Sequence, residues 1–330
     1  MAPPGHRLKR REFIVGLGGA AAWPLAARAQ KAIPVIGVLS SGARDSPWPA
    51  ASFRQGLKET GYVEGRDLTI EYRWAEGHYE RLPALMADLL DQKVVTIATF
   101  GNVAARTAKA GTTNLPIVFS IGSDPVAIGL VKSLNRPGTN MTGVNVLNND
   151  LETKRFELLT EVVPHADTIA FLVNPDSPTT AQKLRNVQAA ALDHNRQIVV
   201  LNARNDSEFE SNFQNLDQRG IEAMMIASDN IFSNESAKLG QVAARHKIPT
   251  VSAYSEFTSA GGLMSYGTNE ADALHQVGVY IGRILNGERP ADLPVIQVAN
   301  VKFALNLKTA KALGLTIPLP ILGRADEVIE

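Results

Sequence analysis

Short β-rich runs alternate with longer helical patterns from Pro34 almost to the C-terminus. The runs at 35–39, 94–99 and 168–173 are mostly apolar, and such continuous runs are typical of strands that are buried on both faces. Each run leads through a short polar turn into an amphipathic helical pattern. This alternation predicts parallel sheets covered by helices on both faces. We therefore expect a doubly wound α/β protein.

The alternation forms two series of similar size, separated by a turn-rich stretch at 135–140. The predicted strands are 35–39, 68–73, 94–99, 116–120, 143–146, 168–173, 197–201, 222–227, 249–253 and 261–267. The predicted helices are 49–60, 78–91, an alanine-rich helix after 102, 151–162, 179–194, 207–219, 234–246 and 270–285, and a loop is predicted at 254–257. Because a domain has about 150 residues, a chain of 330 residues has room for two such units.

The N-terminus has a different pattern. Four basic residues lie within 7–11, an apolar run follows at 13–23, and Ala27-Arg28-Ala29 is a small-residue cleavage pattern. This order predicts an export signal over residues 1–29, cleaved near Ala29. The pair Arg10-Arg11 resembles a twin-arginine signal, which delivers folded proteins. No later apolar run approaches the roughly 18 residues that span a bilayer, so we expect a soluble periplasmic protein after cleavage.

Charge and composition exclude several function classes. The chain has 33 basic and 33 acidic residues, so there is no broad electrostatic reason to expect nucleic acid as a partner. It has no Cys, which removes disulfides, thiol nucleophiles and thiolate metal sites. The motifs G-x-S-x-G, H-E-x-x-H and G-x-x-x-x-G-K-[ST] are absent, and the six His are scattered. We therefore expect no catalytic residue, no metal and no cofactor.

Polar and aromatic residues gather in the turns that follow the predicted strands. In parallel α/β sheets, ligands bind at the carboxyl ends of the strands, where helix N-termini expose backbone N–H groups. The candidate ligand-binding residues in or next to these turns are Ser41, Trp48, Gly101, Asn102, Ser120, Asp124, Asn174, Asp229, Asn230, Tyr254 and Tyr266. Each of them could instead be a helix cap, a turn former or loop packing. As a set they predict the location of a cleft.

Six blocks of the sequence resemble the ABC-transporter substrate-binding family that includes tryptophan- and tyrosine-uptake proteins. They are IGVLSSG at 36–42, FRQGLKETGYVEG at 53–65, EYRWAEG at 71–77, SLNRPG at 133–138, GGLMSYG at 261–267 and NLKTAKALGL at 306–315. The resemblance implies a type 1 periplasmic binding protein fold, with two doubly wound lobes joined by a hinge of three crossings. It implies a first lobe of 31–141 and 264–290 and a second lobe of 142–263 and 291–330.

The resemblance also implies capture of a solute without chemistry. We expect the periplasmic solute-binding component of an ABC uptake transporter, a monomer that delivers a small polar ligand to a permease in the inner membrane. The expected ligand is an amino acid or small organic acid, aromatic and non-aromatic ones alike. Ser41, Asn102 and Ser120 would hold its polar head, and Asp229 could pair with an ammonium group. The alternative is a sensing module that presents its ligand to a membrane receptor, since the same cleft serves both.

Overall fold

A computed structural model describes residues 33–44, 50–214, 216–298 and 300–330. The predicted export signal and the candidate residue Trp48 lie outside the described residues. Residues Pro34–Glu330 form one compact unit. None of the helices in the part of the chain that the structure describes is long and apolar enough to cross a membrane.

Thirteen strands and twelve α-helices are found among the described residues. The strands are β1 Val35–Ser40, β2 Thr69–Trp74, β3 Thr96–Phe100, β4 Ile117–Ile121, β5 Met141–Asn145, β6 Thr168–Val173, β7 Gln197–Asn202, β8 Ala223–Ile226, β9 Thr250–Ser252, β10 Met264–Thr268, β11 Ile296–Gln297, β12 Val301–Asn306 and β13 Glu327–Ile329. The helices are α1 Ala50–Glu59, α2 Leu82–Asp91, α3 Asn102–Gly111, α4 Glu152–Val162, α5 Thr180–Asp193, α6 Phe209–Phe213, α7 Asn230–Asn234, α8 Ser236–Arg245, α9 Ser255–Ser259, α10 Glu270–Leu285, α11 Leu307–Ala312 and α12 Leu319–Leu322.

The first sheet has the strand order β11-β5-β4-β3-β1-β2, and all its pairs are parallel. Its inner strand β1 is almost entirely buried, as its continuous apolar run predicts. Helices α1 and α10 cover one face and meet at two glycines. A Cβ at Gly56 would overlap the carbonyl oxygen of His275, and one at Gly278 would overlap that of Phe53. Glycine at both positions therefore allows the two helix backbones to approach closely.

The second sheet has the order β13-β12-β10-β9-β8-β6-β7. Its pairs are parallel except for β10 with β12, which run antiparallel. Strand β6 pairs on both sides, and its residues Ile169 to Val173 are buried in the larger core. The expected class, two doubly wound and mostly parallel sheets, is confirmed.

Three crossings connect the sheets, and hydrogen bonds join the crossings to one another. The first follows β5, the second lies between β10 and α10, and the third runs from β11 to β12. The backbone N–H of Thr268 donates to Oδ1 of Asn148 at 2.9 Å, and that of Asn269 donates to the carbonyl oxygen of Asn300 at 3.2 Å. The second crossing is thus bonded to both of the others, in agreement with the expected three-crossing hinge.

Arg155 of α4 fixes the geometry between two of the crossings. Its guanidinium is fully buried and donates to the carbonyl oxygens of Asn148 at 2.6 Å and Tyr266 at 2.8 Å. It also lies 3.2 Å from the carboxylate of Glu152, one turn away on the same helix. Removing one partner of such a buried ion pair would leave an uncompensated charge, which is strongly destabilising.

Sheet membership differs from the expected lobe boundaries at 141/142, 263/264 and 290/291. Strand β5 pairs with β4 in the first sheet, although most of it was expected in the second lobe. Strand β10 pairs with β9 and β12 in the second sheet, and β11 pairs with β5 in the first. The reason is that backbone pairing, and not the turn-rich stretch at 135–140, decides where the chain leaves one sheet for the other.

Three local predictions were also wrong. The helix predicted at 207–219 is divided into a 3-10 turn at Asp206–Glu208, the short helix α6 and a second 3-10 turn at Asp217–Arg219. The helix predicted at 234–246 is preceded by α7, which begins directly after β8 because Asp229 caps it. The predicted loop at 254–257 is largely helical, since α9 begins at Ser255.

Candidate functional site

A cavity of about 120 Å³ lies between the two sheets, at the carboxyl ends of their parallel strands. The residues on its first-sheet side are Ser40, Gly42, Ala43, Trp74, Phe100, Gly101, Asn102, Ser120, Ile121 and Gly122. The crossings, the second-sheet turns and α10 contribute Val146, Asn148, Asn149, Ser228, Asp229, Asn230, Ser233, Asn234, Tyr254, Glu270 and Leu274. Both sheets therefore supply walls, as expected for a ligand site between two doubly wound units.

Six of the eleven candidate residues lie on the cavity wall. They are Gly101, Asn102, Ser120, Asp229, Asn230 and Tyr254. Each lies at or directly after the carboxyl end of a strand, and these ends meet at one edge of a parallel sheet. The structure thus brings these six side chains or backbones together, and their role in binding stays a prediction.

Ser41 and Asp124 have local structural contacts instead. The hydroxyl of Ser41 accepts a hydrogen bond from the backbone N–H of Ala104 in the first turn of α3, at 3.2 Å. The carboxylate of Asp124 accepts one from the backbone N–H of Val126 at 2.8 Å, and the residue is exposed. These contacts are those of a cap and a turn, and neither residue is on the cavity wall, so their role in binding stays a prediction.

Asn174 and Tyr266 lie beside the cavity and not on its wall. The amide of Asn174 donates to Oδ1 of Asp229 at 3.0 Å and so supports that carboxylate from behind. The ring of Tyr266 packs edge-on against Phe303, with 6.2 Å between ring centroids. The remaining candidate, Trp48, is outside the described residues.

The two walls of the cavity are in direct contact. Gly101, with φ at 99°, lies so close to the opposite wall that a Cβ would be 2.5 Å from Nδ2 of Asn230. A Cβ at Gly42 would be 2.9 Å from Oδ1 of Asn234. Gly42 and Gly101 follow strands of the first sheet, while Asn230 and Asn234 belong to α7 of the second. The structure therefore shows the cleft in a closed arrangement.

Asp229 is the polar centre of the second wall. Its Oδ1 accepts hydrogen bonds from the hydroxyl of Tyr79 at 2.9 Å, the amide of Asn174 at 3.0 Å and the backbone N–H of Ile231 at 3.3 Å. The hydroxyl of Tyr254 donates to the carbonyl oxygen of Asp229 at 3.1 Å. The charge of this carboxylate is therefore already offset by several donors.

Both phenols around Asp229 are held in their neutral, donating form. Burial, followed by the charge of Asp229, raises the pKa of Tyr79 well above its ordinary value. Burial, followed by the charge of Glu270, does the same to the pKa of Tyr254. Sequence reasoning missed Tyr79, which lies in a 3-10 turn after β2. Its hydrogen-bond partner Asp229 is 150 residues away in the sequence, so no local pattern connects the two.

A buried network shapes the turn that carries Asp229. The backbone N–H of Ser228 donates to Oε1 of Glu152 at 2.8 Å, and the ammonium group of Lys183 donates to the carbonyl oxygen of Ser228. Burial lowers the pKa of Lys183, although the negative charges of Glu152 and Asp229 oppose this effect. The network connects the turn to α4, and therefore to Arg155 and the crossings.

Two aromatic side chains form the apolar part of the wall. Trp74 stacks on Tyr72 with 6.1 Å between ring centroids, and Phe100 packs edge-on against Phe53 at the same separation. These contacts fix the ring positions. Aromatic faces next to polar turns suit a ligand with a flat apolar part and a polar head.

Glu270 is a second carboxylate on the wall, in the first turn of α10. Burial, together with the nearby charge of Glu256, raises its pKa from 4.5 to about 7. Sequence reasoning missed it, since an acidic residue in the first turn of a helix is ordinary. No group of three or more potential metal ligands occurs among the described residues.

Comparison with known proteins agrees with this geometry. The family model described as ABC transporter substrate binding protein matches residues 32–329. A tyrosine-binding protein of Clostridioides difficile (strain R20291) is 25% identical over 264 residues, which are 80% of this chain and 75% of that protein.

Two solved structures are similar over nearly the whole chain. The ABC domain from Streptococcus pneumoniae in complex with L-Trp is 25% identical, with a TM-score of 0.79, and the match covers 90% of this chain and 99% of that one. A conserved domain protein from Vibrio cholerae O1 biovar eltor is 24% identical, with a TM-score of 0.80 and the same coverage.

Proposed function

Because the chain belongs to the family of ABC transporter substrate binding proteins, whose model spans residues 32–329, we propose that it captures an amino acid or a related small organic acid. The family and the fold are those of substrate-binding proteins, and the two sheets joined by three crossings are of the periplasmic binding protein type 1. The protein would act as a monomer and would present the captured ligand to an ABC permease in the inner membrane.

The observation that carries the proposal is the closed cavity with walls from both sheets. A ligand in it contacts Asn102 and Ser120 on one side and Asn230 and Tyr254 on the other. Contacts with both walls exist only in the closed arrangement, so binding energy stabilises that arrangement. Closure is then the signal that a permease reads, and no chemical step is required.

The lining supports a ligand with an aromatic part. Trp74 and Phe100 offer aromatic faces, while Asn102 and Ser120 offer polar groups at the start of α3 and the end of β4. The similar structure from Streptococcus pneumoniae holds L-Trp, and the relative from Clostridioides difficile is described as tyrosine-binding. We therefore place L-tryptophan and L-tyrosine first among the ligands to test.

We also propose that the protein works in the periplasm, where proteins of this family typically act. The order of basic, apolar and small residues at 1–29 is the support for export. Mass spectrometry of protein purified from a periplasmic extract would give the mature N-terminus. A chain that begins next to Ala29 agrees with the proposal, and a chain that keeps residues 1–29 contradicts it.

The ligand class is tested by thermal unfolding and calorimetry of the purified protein. The panel contains the standard amino acids, aromatic acids, sugars and inorganic cations. A ligand present at 100 times its dissociation constant adds about 2.7 kcal/mol to the free energy of unfolding. Stabilisation by amino acids or organic acids supports the proposal, and stabilisation by sugars or inorganic cations alone overturns it.

A further inference from the structure

Two carboxylates line the cavity, and they differ in what surrounds them. Asp229 already accepts hydrogen bonds from Tyr79, Asn174 and the backbone of Ile231. Its position is set by capping α7 and by holding the opposite wall. A ligand ammonium group at Asp229 would compete with donors that the protein supplies itself, so the expected pairing of Asp229 with an ammonium is not the arrangement that the contacts favour.

Glu270, in contrast to Asp229, lacks hydrogen-bond donors from the described part of the protein. No described residue donates a hydrogen bond to its carboxylate, and no described cation forms an ion pair with it. The helix start next to it is capped by another side chain, since Oδ1 of Asn269 accepts from the backbone N–H of Ala271 at 3.1 Å. Glu270 therefore lies on the cavity wall, and its carboxylate has no partner among the described residues.

The charged groups on neighbouring elements do not neutralise Glu270. Its nearest titratable neighbours are Tyr254, whose hydroxyl donates to Asp229, and the exposed Glu256 of α9, which repels it. On α1, which packs against α10, Arg54 pairs with Glu64 at 2.5 Å, and Glu59 pairs with His275. Arg155 is committed to Glu152 and two carbonyl oxygens. None of these groups supplies a counter-charge to Glu270.

We propose that Glu270 binds a cationic nitrogen of the ligand, and that the site therefore selects molecules that carry an ammonium group. This inference rests on the proposed function and gives its ligand class a specific contact. A carboxylate that is removed from water is costly unless it is paired, and Glu270 is already half-buried. The ammonium of an amino acid supplies the missing partner, while the aromatic and polar groups of the other wall receive the rest of the molecule.

The surroundings of Glu270 also couple binding to a proton. Burial and Glu256 raise the pKa of the ligand-free carboxyl to about 7, so the group is half protonated near neutral pH. An arriving ammonium binds the carboxylate form, and the proton of the carboxylic acid leaves to solvent. The affinity should therefore fall roughly tenfold for each pH unit below the pKa, and it should level off above it.

The test compares binding of L-tryptophan, L-tyrosine, tryptamine and indole-3-propionate by calorimetry between pH 5.5 and 8.5. Tryptamine keeps the ammonium and lacks the carboxylate, whereas indole-3-propionate lacks the ammonium. The remaining standard amino acids, simple alkylamines and sugars complete the panel. The variants are Glu270→Gln and Glu270→Asp. The control is Glu256→Gln, which removes the neighbouring carboxylate on α9 that is not on the cavity wall. Circular dichroism confirms the folding of each variant.

We expect the wild type to bind ammonium compounds more tightly as pH rises and to bind indole-3-propionate weakly. Glu270→Gln should weaken ammonium binding by roughly thirtyfold or more at pH 8 and remove the pH dependence. Glu270→Asp should restore part of the affinity. Glu256→Gln should keep the affinity at pH 8 and move the pH profile to lower pH, because it removes a charge that raises the pKa of Glu270.

The outcomes separate this inference from the proposed function. Amino acid binding that Glu270→Gln leaves within twofold overturns the role of Glu270 and keeps the function. Binding of simple amines without any binding of amino acids, lost in Glu270→Gln, supports the role of Glu270 and overturns the ligand class. Binding of sugars alone overturns both. An affinity of the wild type that falls with rising pH shows that a protonated Glu270 donates to a neutral ligand, and it also overturns the inference.

Discussion

The hydroxyl of Tyr79 donates a hydrogen bond of 2.9 Å to Oδ1 of Asp229, across the cleft. Tyr79 follows β2 of the first sheet, and Asp229 follows β8 of the second. The closed arrangement thus has a hydrogen bond between its walls that does not depend on ligand. This bond shifts the balance between open and closed forms and so contributes to the affinity for any ligand that needs both walls.

Tyr79→Phe should therefore favour the open form. The acceptor is a carboxylate, and a hydrogen bond to a charged group contributes about 1.5–3 kcal/mol, which corresponds to an affinity loss of roughly tenfold to 150-fold. Calorimetry gives the affinity, and small-angle scattering gives the radius of gyration of the ligand-free protein, which should increase. The matched control is Tyr62→Phe. The hydroxyl of Tyr62 donates to Oδ1 of Asn286 at 3.1 Å, and this contact does not involve the cleft. Equal effects of the two substitutions would contradict the cross-cleft role.

Gly101→Ala should prevent full closure. The added Cβ would lie 2.5 Å from Nδ2 of Asn230 on the opposite wall, and we expect at least a tenfold loss of ligand affinity. Gly61→Ala is the control, because Gly61 has φ at 98° against 99° for Gly101 but no atom within 4 Å of the added Cβ. Both substitutions place an L side chain at positive φ, which costs on the order of 1–3 kcal/mol of backbone strain. A loss of affinity in Gly61→Ala as large as that in Gly101→Ala would refute steric blocking.

The ligand-free protein should lose stability as pH rises from 4.5 to 7. The raised pKa of Glu270 means that the folded state holds more protons than the unfolded state in this window, so its contribution to the free energy of unfolding falls with pH. Glu270→Gln should unfold at the wild-type temperature near pH 4.5 and about 2 °C or more above it at pH 8. Scanning calorimetry measures both.

The control for this effect is Glu288, which follows the C-terminal end of α10 and whose carboxyl pKa is shifted in the opposite direction. Glu288 is exposed and pairs with Arg283 at 2.6 Å, which lowers the pKa of its carboxyl. Glu288→Gln should therefore not raise the melting temperature at pH 8. A rise equal to that of Glu270→Gln would mean that loss of net negative charge, and not burial of Glu270, is the cause.

Arg155→Met should destabilise the fold by about 3–5 kcal/mol, because it leaves Glu152 buried without its partner and frees two carbonyl oxygens at the crossings. The control is Arg289→Met, which removes a surface pair with Asp292 and should cost less than about 1 kcal/mol. Urea unfolding at 25 °C gives both values. A loss below 1 kcal/mol for Arg155→Met would disprove the central role of this side chain.

Local patterns were sufficient to predict the strands and the edge of the site. The apolar run at 35–39 became β1, the helix predicted at 270–285 has the observed bounds of α10, and Asn102, Ser120 and Asp229 lie on the cavity wall. These predictions rest on periodicity and on the rule that parallel strands bring their carboxyl ends to one edge. The periodicity and the ends of the strands can both be read from residues that are close together in the sequence.

What could not be predicted depends on pairing between distant segments. The sheet to which β5, β10 and β11 belong is decided by partners that no local pattern reveals. Asn148 and Glu270 reach the cavity, and Tyr79 reaches Asp229, only because of those pairings. Their own neighbourhoods in the sequence look like ordinary turns and helix starts. Trp48 and the export signal remain predictions, since both lie outside the described residues.

The three crossings have a mechanical consequence. A single connection would let the two walls twist and slide past each other, whereas three connections that are hydrogen-bonded side by side reduce relative motion to rotation about one axis. Under the proposed function, such a rotation would bring the turns at Gly101 and Asn230 back to the same register each time the cavity closes. A permease would then have two well-defined arrangements to distinguish, the filled and the empty one.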